Sequence, residues 1–219
     1  MTVSVHTVAR PDRDIARVVD AHRRLVVRVQ GLSDDDMRRP SGLPDWTVAH
    51  VLTHLARNAD SHARRTDAAV EGVVVDQYPG GVAGRQAEIE SGAHRPAAAI
   101  IADVRESAGR VDELWQQVPD HAWSGISRDV GGRERALRDL PARRWQEVEV
   151  HLVDLDLGVT HRDWSDDFVE RWLPVLRQRM QAELGDAQAL PTVEDARDEL
   201  AWLYGRLKRE DLPEPPPWG

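Results

Sequence analysis

Residues 42–60 read GLPDWTVAHVLTHLARNAD. Pro40 and Gly42 break the chain just before, and Asp45 or Thr47 can cap the helix that follows. Val48, Val51, Leu52 and Leu55 then define an apolar stripe at helical spacing. At about 100° per residue, His54 falls near the edge of that stripe, whereas His50 points almost away from it. A second stretch, PARRWQEVEVHLVDLDLG at residues 141–158, has the same character. Val148, Leu152 and Leu155 form its stripe, with His151 close beside it and Glu147 further round the same flank. Glu149 falls on the opposite flank. These are two amphipathic helices with polar groups at i, i+4 spacing: His50, His54 and Asn58 on one, Glu147 and His151 on the other, with Asp154 one turn on.

Working outward, Asp12 to Gln30 predicts a first helix, with Ile15, Val18, Val19, Leu25, Val26 and Val29 at helical spacing and Gly31 as its stop. Leu32 to Pro44 is a connector with Ser33 as a cap. The second helix runs to about Val70. Gly72 to Gly84 reads as a loop, with one turn of helix over Arg85 to Glu90. A third helix runs from Pro96 to Val118 and is stopped by Pro119. The polar segment from Asp120 to Arg138 reads as a long loop, and the fourth helix occupies Pro141 to Gly158. Two further helices are expected over Asp166–Leu184 and Glu194–Lys208, separated by Gly185 and Pro191, before a proline-rich tail, LPEPPPWG. The expected architecture is mainly all-α: an up-and-down four-helix bundle over residues 1–160 and a short, largely helical extension over residues 161–219.

Composition narrows the function. The 219 residues carry a formal net charge of −9, and 41% are apolar. No basic stripe of the kind that binds duplex nucleic acid is present. The arginine pairs 23–24, 38–39, 64–65 and 143–144 are scattered and read as solvated faces. There is no cysteine, so a thiolate metal site or a cysteine nucleophile is excluded, and any thiol chemistry needs an external thiol. No run of eighteen apolar residues and no secretory leader pattern is found, so the expectation is a cytoplasmic protein, monomer or homodimer, without membrane or nucleic-acid partners.

Two imidazoles and a carboxylate facing inward from neighbouring helices suit a divalent metal, and such a set leaves a coordination position open. The spacing alone leaves a second reading open: a core histidine satisfied by hydrogen bonds, with Glu147 at the surface. His22, His62, His94, His121 and His161 have no partner at ligand spacing and read as solvated or capping groups. Asp154 and Asp156 either orient His151 or face solvent, and Asn58 either lines a pocket or caps a carbonyl.

The two quoted segments resemble the helix-two and helix-four signatures of the mycothiol-dependent maleylpyruvate isomerase family, part of the DinB-like superfamily. The resemblance implies that His54, Glu147 and His151 bind one divalent metal, most often zinc. YPGGVAGRQAEIE (residues 78–90) and DELAWLYGRL (residues 198–207) are similar to family segments that carry active-site arginines, which places Arg85 and Arg206 as catalytic candidates, with Arg85 and Asn58 as cofactor-binding candidates. The C-terminal part looks trimmed beside the family's small α/β domain. The implied cosubstrate is mycothiol. The implied activity is isomerisation of maleylpyruvate to fumarylpyruvate, in which a thiolate adds to the cis double bond, the bond rotates and the thiol leaves. A mycothiol S-transferase acting on electrophilic small molecules and a non-catalytic metal-binding protein are the alternatives.

Overall fold

The computed structural model describes residues 9–185 and 189–217, which fall into two units, residues 1–151 and 152–219. The first unit is built on α1 (Asp12–Val29), α2 (Asp34–Arg38), α3 (Val48–Val70), α4 (Gly81–Ala93), α5 (Ala97–Gln117) and α6 (Leu140–Asp154), the last of which runs on past the division. α1, α3, α5 and α6 are the long rods of a four-helix bundle. α5 packs along both α3 and α1. Val18 and Leu25 of α1, Val51, Leu52 and Leu55 of α3, Ile100, Val104 and Val111 of α5 and Val148 of α6 are all buried, as the apolar spacing requires.

Short polar contacts set where the helices begin. Ser33 and Asp36 form a reciprocal cap at α2: the Asp36 amide donates to Ser33 Oγ at 3.2 Å and the Ser33 amide to Asp36 Oδ2 at 2.9 Å. At the start of α3 the Thr47 amide donates to His50 Nδ1 at 3.2 Å, so His50 serves as a cap. The neighbouring Asp34 accepts from the Ala97 amide at 2.6 Å, which fixes the start of α5 from a distant part of the chain. Trp115 of α5 donates to Thr66 of α3 at 2.9 Å.

Several segments depart from the sequence reading, the first being the connector Leu32–Pro44, which holds the five-residue α2. The thirteen-residue α4 begins inside the expected loop, takes in the expected single turn and runs on to Ala93. Two of its glycines permit close packing: a Cβ on Gly84 would lie 2.0 Å from the Pro79 carbonyl oxygen, and one on Gly92 2.5 Å from the Thr53 side chain. Ile89 is its buried anchor. The expected loop from Asp120 to Arg138 holds an antiparallel hairpin, β1 (Ile126–Arg128) paired with β2 (Glu134–Ala136). Its turn is organised by Asp129, which accepts from the amides of Gly131 and Arg133 and from the Arg135 guanidinium.

In the second unit, α7 (Asp166–Leu184) is capped by Ser165, and α8 (Ala196–Leu203) by Asp195, which accepts from the amides of Arg197 and Asp198. α8 is shorter than the expected Glu194–Lys208. Gly205 adopts φ 72, a conformation side chains rarely take, and the chain leaves the helix there. Phe168, Trp172, Leu176, Leu200, Trp202 and Tyr204 are buried in this unit, and Trp202 Nε1 donates to the Pro213 carbonyl at 2.9 Å. Residues 186–188 of the expected separator and Trp218 and Gly219 of the tail lie outside the described residues. Among the described residues, no helix is long and apolar enough to cross a membrane.

Candidate metal centre

His54 projects from the second turn of α3, and Glu147 and His151 project from successive turns of α6. His54 Nε2 lies 3.1 Å from Glu147 Oε2, and His151 Nε2 lies 3.4 Å from the same oxygen. The two imidazole rings meet edge to face at 4.8 Å between centroids. One donor atom from each residue falls within 4.8 Å of the others. Donors about 2.0–2.2 Å from one tetrahedral ion are separated by roughly 3.4 Å, so the three residues fit a single cation with little movement. Both histidines are buried, and Glu147 is partly exposed.

The electrostatics match the geometry. Burial pushes His54 down to about 4, with the positive charges of His151 and Arg85 adding to it against the pull of Glu147. Burial works the other way on Glu147, but hydrogen bonds from His151 and His54 outweigh it and hold the carboxyl well below its ordinary range. At neutral pH the cluster therefore presents a neutral imidazole at His54 beside an anionic carboxylate. Metal ligation requires these forms.

Arg85 reaches this centre from α4. Its Nη2 is 3.3 Å from His54 Nδ1, and its guanidinium sits 5.8 Å from the Trp46 ring and 5.9 Å from the Tyr78 ring. Two aromatic rings thus flank a cation beside His54. Asn58, one turn beyond His54, is buried and accepts from Arg144 Nη1 at 2.9 Å, so it belongs to the floor of the bundle core. Arg206 lies in the second unit, where Nε and Nη2 grip Asp154 at 2.8 and 2.7 Å. Asp154 is buried in that pair, while Asp156 is exposed and takes φ 51 just beyond the end of α6.

Several residues read as solvated from sequence lie inside. Arg144 and Arg65 are buried, as are His22 and His62. Arg144 donates to the Leu55 carbonyl as well as to Asn58, and its Nε donates to His22 Nε2. His22 in turn offers Nδ1 to Asp112 at 2.8 Å. His62 faces Arg65 and the Trp115 ring. Glu149 is buried too and binds Arg24 and the Trp145 indole N–H. A usable signal existed for Arg144: it shares the i, i+3, i+7 stripe of Glu147 and His151. His94 and His121 are exposed as expected, and His161 is engaged with Asp198.

The fold and this centre define a helical-bundle protein with a His₂Glu cluster in its core. The chain belongs to the family described by the mycothiol maleylpyruvate isomerase N-terminal domain, whose model matches residues 18–156. Its fold is similar to the crystal structure of a mycothiol-dependent maleylpyruvate isomerase, with a TM-score of 0.85, 19% identity, and coverage of 99% of this chain and 100% of that one. A variant of that isomerase with one histidine replaced by alanine superposes with a TM-score of 0.84 at 18% identity, again over 99% of this chain and 100% of that one. YfiT from Bacillus subtilis, described as a probable metal-dependent hydrolase with an unusual four-helix bundle topology, matches at a TM-score of 0.56 and 18% identity, over 73% of this chain and 93% of that one. No curated protein sequence matches this chain.

Proposed function

We propose that this protein is a metal- and mycothiol-dependent isomerase acting on maleylpyruvate or a closely related cis-unsaturated dicarboxylate. The observation that carries the reading is the convergence of His54, Glu147 and His151 on one point inside a family bundle, with distances and protonation states suited to one divalent cation. Zinc is the proposed ion. When bound, such a cation supplies the acidity that turns a thiol into a thiolate near neutral pH.

The side chains around the centre serve the substrate. Arg85, held between Trp46 and Tyr78, presents a guanidinium that can take a carboxylate in two parallel hydrogen bonds. Its charge also stabilises the negative oxygen that develops when a sulfur nucleophile adds to the double bond conjugated with the ketone. Burial of His54 and His151 keeps bulk water from the two imidazoles that would hold the ion. Arg206 is proposed as the second catalytic arginine, and Asn58 as the residue that sets the floor beneath the cosubstrate.

The test is direct. Zinc-loaded protein, mycothiol and maleylpyruvate are mixed, and fumarylpyruvate formation is monitored by absorbance and chromatography. Thiol-dependent turnover is expected. Conjugates of mycothiol with model electrophiles and no isomerisation would replace this reading with an S-transferase. Absence of both in zinc-loaded protein would leave a non-catalytic metal-binding protein.

A further inference from the structure

Tyr78 is buried beside the centre, yet its hydroxyl has no partner in hydrogen-bonding geometry. A buried polar group in that condition weakens the fold unless something outside the chain completes it. The surroundings identify the missing group. Arg144 Nη1 donates to Asn58 Oδ1, and Arg144 is itself fixed by the Leu55 carbonyl and by His22. The Asn58 amide cannot turn over without setting its NH₂ against the Arg144 N–H groups. Asn58 Oδ1 keeps a second lone pair beside the one Arg144 engages, but it does not stand in hydrogen-bonding geometry to the phenol, and Arg85, which faces the ring, consists only of donors. The phenol proton thus has no acceptor in hydrogen-bonding geometry among the described residues.

We propose that Tyr78 is a catalytic residue that donates a hydrogen bond to an oxygen of the bound substrate, a carboxylate or the enolate formed from its ketone, beside the metal centre. The assignment rests on the isomerase reading for the identity of that oxygen and on the phenol's surroundings for the donor itself. The hydroxyl keeps its proton throughout. Burial, and after it the Glu147 carboxylate, hold Tyr78 above its ordinary range, which is the state a donor requires. Together with Arg85 it forms a two-point cradle for a negative oxygen, from two residues seven positions apart in one loop-and-helix segment.

Tyr78→Phe removes only the hydroxyl, and three measurements test it. Zinc content should equal that of the parent. The thermal midpoint of the metal-free protein should be equal or higher, because a polar atom without a partner has been deleted. With mycothiol and maleylpyruvate, kcat should fall on the order of a hundredfold with a smaller change in KM. Oxalate, a small dicarboxylate, provides a readout independent of turnover: calorimetry on zinc-loaded protein should show affinity weakened by about tenfold in the variant. Unchanged kcat with unchanged oxalate affinity would overturn the proposal, as would a midpoint several degrees lower, which would reveal an internal partner for the hydroxyl. If the parent protein fails to isomerise maleylpyruvate but Tyr78→Phe still weakens oxalate, the isomerase reading falls and the donor role stands.

Discussion

Arg144 Nε lies 2.9 Å from His22 Nε2 and donates to it, which makes that ring nitrogen an acceptor and leaves the Nδ1 proton for Asp112. One guanidinium on α6 thereby sets the tautomer of a histidine on α1 and the orientation of an amide on α3. Replacement of Arg144 by Met should keep the volume and lose every one of these bonds. Loss of one partner in a buried charged network costs about 3–5 kcal/mol. Urea unfolding of Arg144→Met should show a drop of that order in the midpoint-derived stability, and a drop under about 1 kcal/mol would mean that the network is incidental.

Acid should destabilise the fold well before the carboxylates titrate. Burial depresses both His22 and His62, with Arg144 adding to the effect at each and Arg65 at His62. Unfolded, each takes up a proton near 6.5; folded, each stays neutral to lower pH. The stability they contribute is complete above about pH 6.5 and is lost as the pH falls through the folded values, at up to about 1.4 kcal/mol per pH unit for each histidine. Thermal midpoints of the metal-free protein between pH 7.5 and 5 would check this. A flat profile would show that neither ring resists protonation.

Removal of a donor from the centre should cost the ion before it costs the fold. His54→Ala, Glu147→Gln and His151→Ala should each lower bound zinc, measured by mass spectrometry after dialysis, to well below one per chain, with far-ultraviolet circular dichroism retained. Glu147→Gln is the sharpest case, because it keeps the shape and deletes the charge. Stoichiometric zinc in all three variants would place the ion elsewhere.

Arg85→Lys should not rescue Arg85→Ala. The guanidinium sits 5.8 and 5.9 Å from two ring centroids and can offer two parallel donors, which an ammonium cannot. Both variants should keep zinc and lose on the order of a hundredfold in kcat/KM for a dicarboxylate substrate. Full activity in the lysine variant would reduce the role of this position to charge alone.

Arg206→Ala carries two separable effects. It deprives the buried Asp154 of a two-point grip, so the second unit should unfold more easily by about 3 kcal/mol. If Arg206 also serves the substrate, turnover per folded molecule should fall with zinc retained. Turnover per folded molecule equal to the parent would confine it to the Asp154 pair.

The long rods were legible because their apolar residues recur at the helical period and their ends carry conventional stops: Ser33, Thr47 and Pro119 stand where the structure places breaks. The convergence of His54, Glu147 and His151 was legible only in part: they lie on the flanks of those stripes, but the spacing left a hydrogen-bonded core histidine with a surface Glu147 equally open, and the family resemblance singled out the three. α4 was not, since glycines at 80, 81 and 84 imitate a loop and Ile89 is its single buried residue. The hairpin escaped because strands of three residues give too little alternation to read. Arg144, Arg65, His22 and His62 were misplaced because charged and polar side chains default to solvent, and only the assembled core shows the partners that make their burial tolerable.

His54 and Glu147 are 93 positions apart in the chain. An ion gripping both would act as a removable clasp across nearly half the polypeptide, in a sequence that has no cysteine with which to build a permanent one. By analogy with a cross-link closing a ring of that size, it would deny the unfolded chain freedom equivalent to about 4–5 kcal/mol. The supply of the ion in the cell would then set the protein's lifetime as well as its chemistry.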